Sequence, residues 1–116
     1  MADEVKSFRD LQLYQMLCDL HLEVCELSYR FPSFEKFELG SQVRRSSNSI
    51  PANIAEGSVN KHLNIYLETL NRALGELRET LHHLSIAHRK GYLTEELYSN
   101  LSQRYERCGR MIKGLE

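Results

Sequence analysis

Apolar residues recur at helical spacing along the first thirty positions. At about 100° per residue, Leu13, Leu17, Leu20, Val24, Leu27 and Phe31 share one narrow stripe, which predicts a helix over residues 8–30. Leu11, Tyr14, Cys18, Leu22, Cys25 and Tyr29 make a second apolar sector, and only Gln12, Gln15, Asp19, Glu23, Glu26 and Arg30 leave a clean polar face. One stripe is enough to pack inside a small bundle. The second sector therefore predicts another partner, most simply a second copy of the chain. Phe31-Pro32-Ser33 ends this helix, because proline disfavours helical geometry in the residue before it.

A second helix starts at Gly40 or Ser41 and runs to Glu56, with Val43, Ile50 and Ile54 as its apolar face and Gly57 as a left-handed stop. Pro51 lies inside it, removes one backbone hydrogen bond and predicts a bend. The third helix, over residues 61–90, has the strongest period: Leu63, Leu67, Leu70, Leu74, Leu77, Leu81 and Leu84 fall on one stripe, and Gly91 closes it. Thr94 then reads as an N-cap with Glu95 and Glu96 in the first turn, where carboxylates favour the helix dipole. The fourth helix follows to Lys113, with Leu97, Leu101, Tyr105, Cys108, Met111, Ile112 and Leu115 inward. Short connections place neighbours antiparallel. The expectation is an all-α, up-down four-helix bundle occupying residues 1–116 as one domain.

Composition narrows the function classes more than it changes the fold. The 116 residues hold 27% charged and 41% hydrophobic positions, outside the range of disordered chains and of membrane proteins. No apolar run approaches the ~20 residues that span a bilayer, and the acidic opening of residues 1–4 lacks a signal-peptide layout. A cytoplasmic protein is expected. The net charge of −1 excludes the strongly basic balance of a dedicated nucleic-acid binder. It is unevenly spread, at −4 over residues 1–38 and +3 over residues 39–116. Three cysteines without a CxxC make neither a disulfide framework nor a zinc site, and read as small core residues.

Candidate chemistry concentrates on the second helix. Gln42, Arg45, Ser49, Asn53 and Glu56 fall in one sector of its wheel, away from the apolar face. They could satisfy one another as a structural network at a helix or subunit contact, the favoured reading, or present a partner surface. Arg45, Asn53 and Glu56 in particular are expected to form one network across the proline. Glu79 and His82 have the Glu-x-x-His spacing of di-metal bundles, but no second such pair exists, so neither a metal nor a cofactor is expected. His82 and His83 read as surface residues. There is no GxSxG, P-loop or GxGxxG, and no spacing that suggests a catalytic triad. For nucleic acid the candidate contacts are Arg44, Arg104, Arg107, Arg110 and Lys113, weighed against the ordinary occurrence of cations on bundle surfaces. The last four step by three residues and drift around the helix.

The second helix also carries a resemblance. Gln42-Val43-Arg44-Arg45 followed by Ser49-Ile50-Pro51-Ala52-Asn53-Ile54-Ala55-Glu56-Gly57 resembles the signature of the four-helix-bundle family encoded in intervening sequences of bacterial 23S rRNA genes. Phe8-Arg9-Asp10-Leu11, Phe31-Pro32, Ala73-Leu74-Gly75 and Gly91-Tyr92-Leu93 are similar to other parts of it, so nearly the whole chain is covered. Gly40, Ser46, Ser47 and Glu76 depart from the family pattern, in which Thr, Ala, Ala and Ser are usual. The resemblance implies the bundle fold and ring-like pentamers. The family is similar in turn to an accessory protein of diversity-generating retroelements, a pentamer that works with a reverse transcriptase and nucleic acid. It implies no enzymatic activity.

Together these observations predict a non-enzymatic homo-oligomer, a homopentamer on the resemblance, acting as an adaptor for RNA, DNA or a nucleic-acid enzyme. The alternative is a protein-binding scaffold that touches no nucleic acid. No membrane partner is expected.

Overall fold

Four helices account for the fold in the computed structural model, which describes residues 8–58 and 62–116 apart from the Asp10 side chain. The acidic residues 1–4 and the expected start of the third helix at Lys61 lie outside the described residues. Helix α1 covers Gln12–Ser28, α2 Leu39–Ser58, α3 Leu63–Arg89 and α4 Glu95–Leu115, with short 3-10 turns at Phe8–Asp10 and Ser33–Glu35. No helix among the described residues is long and apolar enough to cross a membrane.

The first helix begins four residues later than its periodicity suggests. Leu11 is extended, with φ −72° and ψ 123°, and offers no side-chain cap. The chain turns there, so that the Phe8 ring meets Tyr14 edge-on at 5.1 Å. Leu13, Leu17, Leu20 and Val24 are buried as the stripe requires. Helix α2 passes through Pro51 without a break in its helical assignment.

Contacts between helices fix their directions. Ser46 of α2 meets Thr80 of α3 while a side chain at Gly57 would meet Thr69, so these two helices run antiparallel. Between α3 and α4, His88 meets Glu95 at one end and Tyr66 meets Leu115 at the other. His21 lies beside Ser47 and Ser28 beside Arg44, which reverses α1 against α2. Tyr105, Cys108, Leu101 and Ile112 bring α4 onto this core and are buried completely or nearly so.

Two turns follow from their residues. Gly91, at φ +83°, takes the left-handed conformation that side chains resist. The amides of Gly91 and Tyr92 then donate to the carbonyls of His88 and Ala87, the paired bonds of a Schellman end. Three residues on, Thr94 Oγ1 accepts from the Leu97 amide at 3.2 Å and starts α4.

Gly57 corrects an expectation. It has no positive φ, and the helix continues through Ser58. Its role is proximity: a Cβ there would stand 2.2 Å from Thr69 Oγ1, so α2 and α3 approach too closely for any side chain. Leu63, Leu97 and Leu115 were expected inward and are exposed. Each sits in a terminal turn of its helix. Leu67 and Leu81 are only partly buried against the core.

Candidate functional site

The polar sector of α2 splits instead of closing on itself. Ser49 Oγ donates to the Arg45 carbonyl at 3.1 Å and Asn53 Nδ2 to the Ser49 carbonyl at 2.8 Å, so both serve their own helix backbone. Arg45 turns to α3, its guanidinium 3.8 Å from Glu79 and well exposed. Glu56 is exposed, and the Arg72 guanidinium of α3 donates instead to Glu68 of its own helix at 2.8 Å. Among the described residues no hydrogen bond joins the Arg45, Asn53 and Glu56 side chains. The expected three-residue network is therefore absent among the described residues, because Asn53 is satisfied by its own helix backbone and Arg45 turns to Glu79 of α3.

What α2 meets on α3 is a second set of polar groups. Glu76 is pushed above the usual carboxylate range by burial, then by a hydrogen bond with Glu79. His83 is buried, correcting its reading as a surface residue, while His82 is exposed. Burial pushes the His83 pKa down, against the opposing pull of Glu79, and its Nε2 stands 3.4 Å from Glu79 without hydrogen-bond geometry. Gln42, His82, His83 and Lys90 share a shallow cleft of about 390 Å³ with Glu35 and Glu38. Glu79 thus faces Arg45 at 3.8 Å and lies beside His83, and the described residues hold no cluster of three metal-capable side chains.

A Ser–His contact also forms between α1 and α2. His21 Nδ1 lies 2.7 Å from Ser47 Oγ, and Cys25 Sγ is 3.5 Å from His21 Nε2. Ser47 places its proton on the Arg44 carbonyl, so its oxygen accepts from the histidine. Ser47 is fully buried and burial pushes the Cys25 thiol up, so neither is an activated nucleophile.

The five candidate cations separate into two groups. Arg44 donates to Ser28 Oγ at 3.0 Å and to the Lys36 carbonyl at 2.8 Å, which makes it a clamp between α1 and the start of α2. Arg104 makes a two-pronged pair with Glu23 of α1, holding that carboxyl below the usual range. Arg107, Arg110 and Lys113 remain exposed, and with Arg78 of α3 they have no carboxylate partner among the described residues. Arg78, Arg110 and Lys113 line a groove of about 280 Å³ between α3 and α4, floored by Leu74, Leu77, Leu81 and Gly109 and edged by Glu106. On the opposite side, Tyr14, Cys18 and Leu22 of the second α1 sector form an apolar groove with Pro51, Ala52 and Ala55. Leu22 is about two-thirds exposed there.

The model of the 23S rRNA-intervening sequence protein family matches residues 9–114, a span that takes in all four helices except the last residue of α4. The chain belongs to that family. No curated protein matches it. Among solved structures it is similar to a protein of unknown function from the S23 ribosomal protein family of Bacteroides thetaiotaomicron. The two share 24% identity over 89% of this chain and 96% of that one, with a TM-score of 0.82. That likeness establishes the fold.

Within this 23S rRNA-intervening sequence family member, two features escape the sequence patterns. Glu35 is buried, and its Oε2 accepts from Lys90 Nζ and Tyr92 OH, each at 2.8 Å. Lys90 first and Tyr92 second hold its carboxyl below the usual range. The partners lie 55 and 57 residues away, so no local pattern announces them. The other is the exposure of Phe34 and Phe37, at 69% and 82%. The sequence does carry that signal, as phenylalanines off the helical stripes beside Pro32.

Proposed function

We propose that this protein is a non-enzymatic, cytoplasmic homo-oligomer that binds nucleic acid, alone or within a nucleoprotein, through the basic α3–α4 side repeated around the assembly. The observation that carries this reading is the set of cations without carboxylate partners among the described residues, Arg78, Arg107, Arg110 and Lys113, three of which line one groove. The family's name, tied to an intervening sequence of 23S rRNA, agrees with it. The overall charge of −1 supplies no long-range attraction to phosphate, so affinity must come from this local patch and its repetition. Assembly is supported by the second α1 sector, whose Leu22 faces water in the single chain.

Binding to structured RNA, single strands and duplex DNA at two salt concentrations tests the reading. Affinity should fall steeply with salt, by a slope near −0.9 per phosphate contact on duplex DNA. The Arg107→Gln/Arg110→Gln/Lys113→Gln variant should flatten that slope. No binding to any of the three at low salt would favour a protein-binding scaffold. Light scattering coupled to size exclusion tests assembly: a pentamer is expected, and a stable monomer of 13.6 kDa would refute it.

A further inference from the structure

We propose that the aromatic end of the bundle, where α1 hands over to α2, is a stacking platform for unpaired nucleobases. This inference rests on the nucleic-acid reading above but concerns a separate surface. Tyr29, Phe34 and Phe37 are 66%, 69% and 82% exposed. Their backbone is nevertheless fixed. The Glu35, Lys36 and Glu38 amides donate to the carbonyls of Pro32, Ser33 and Glu35. Phe31 is buried against the Tyr92 ring at 5.2 Å, and Glu35 is buried under Lys90 and Tyr92. Positions 31, 35 and 39 therefore point inward and anchor the segment, which leaves 34 and 37 directed outward on an ordered support. Little ordering entropy remains for a ligand to supply.

Cations accompany the rings. The Arg44 guanidinium lies 4.9 Å from the Tyr29 ring centre while it donates to the Lys36 carbonyl, and Lys36 Nζ is 5.5 Å from the Phe37 ring. Rings beside cations are what base stacking on single strands uses, and every base has a π-face to offer. Phenylalanine has no group with which to read a base edge, so the surface takes unpaired bases regardless of identity. A duplex, whose bases are already stacked, gains little from it. Area argues against a second copy as the occupant. Three rings of this size, exposed to this degree, present about 400 Å², roughly half of the ~800 Å² that each side of a stable protein interface buries.

The test measures anisotropy of a labelled, mixed-sequence DNA single strand and of its duplex at two salt concentrations. Wild type is compared with Phe34→Ala/Phe37→Ala, Phe34→Leu/Phe37→Leu and the Arg107/Arg110/Lys113 charge-removal variant. Both aromatic variants alter exposed side chains, and their melting temperatures should match wild type. Each should weaken single-strand binding about 10-fold or more, leaving the duplex affinity and the salt slope unchanged, whereas the charge variant should flatten the slope. Quenching of 2-aminopurine in the single strand should disappear with the phenylalanines. Leucine variants that keep wild-type affinity would overturn the proposal, because apolar area without a π-face would then suffice. So would unchanged binding in both aromatic variants beside a weakened charge variant, a result that leaves the nucleic-acid reading standing. A wild-type protein that binds neither probe overturns both readings. A smaller assembly for Phe34→Ala/Phe37→Ala in light scattering would assign the rings to contact between copies and refute the stacking role.

Discussion

The two flanks of α3 are built by opposite means. Against α2 it places small or polar residues: Thr69 under Gly57, Ala73 fully buried, and Thr80 donating to Ser46 at 2.8 Å. Against α4 it places leucines, opposite a helix that buries Leu101, Tyr105, Cys108 and Ile112. Over Gly109 that second flank stays open as a groove. Among the described residues, α2 and α3 share the most extensive contact of any two helices. On one flank, then, added atoms should do the damage. On the other, removed atoms should.

The largest expected effect is on the α4 side. Tyr105→Ala should cost about 3–5 kcal/mol in a denaturant melt, because the cavity left by a fully buried ring cannot refill. Tyr105→Phe should be neutral or stabilising, since the hydroxyl finds no hydrogen-bond partner among the described residues. On the α2 side, Gly57→Ala should cost about 1–3 kcal/mol despite alanine's better helix propensity. Thr69→Ala should recover most of that loss in the double variant, and additive losses would show that the two helices do not collide there.

Acid should act on both flanks and more gently. His21 and His83 titrate below their ordinary value of 6.5, mainly through burial, so the folded state binds fewer protons than the unfolded one. Their contribution is present above 6.5 and is lost as pH falls through the lowered values. Glu35 and Glu23 are likewise depressed, and their contribution disappears further into acid, as pH falls through their lowered carboxylate values. Glu76 has the opposite sign: its raised pKa favours the fold at low pH and loses that contribution as pH rises, so acid relieves part of the strain. Melting temperature should therefore fall in two stages between neutral pH and pH 3, and Glu35→Gln should flatten the lower stage. The smallest effect should come from Arg45→Ala and Glu56→Ala. Both residues are exposed, and loss of the 3.8 Å pair with Glu79 should cost no more than ~1 kcal/mol in the same melts. A larger loss would mean that the polar sector of α2 carries structural weight that its contacts do not account for.

That asymmetry also explains what the sequence could disclose. The central leucines of the α3 stripe (Leu70, Leu74, Leu77 and Leu84), the Thr94 cap and the Gly91 stop are set by residues within a few positions of one another, and these are found in the structure, whereas Leu63 at the start of the stripe is exposed. The second buried face of α3, through Thr69, Ala73, Thr80, His83 and Ala87, has the same helical spacing written in small and polar residues. A search for apolar periodicity passes over it, so His83 read as surface and Gly57 as a stop. For the candidate site, cation positions were legible and their availability was not. Arg104 is taken by a carboxylate 81 residues away and Arg44 by a backbone carbonyl, neither visible from local spacing.

The Arg104–Glu23 pair joins the first helix to the last. Each of the other neighbouring pairs is consecutive along the chain and needs only a short loop to form. Closing α1 on α4 instead brings together positions 81 residues apart, a contact that no single short loop supplies. Part of the attraction that draws those ends together is ionic and partly exposed, so it is the portion of the assembly route that dissolved salt can slow. Chain closure in this molecule thereby acquires an ionic-strength dependence that its leucine-lined interior lacks.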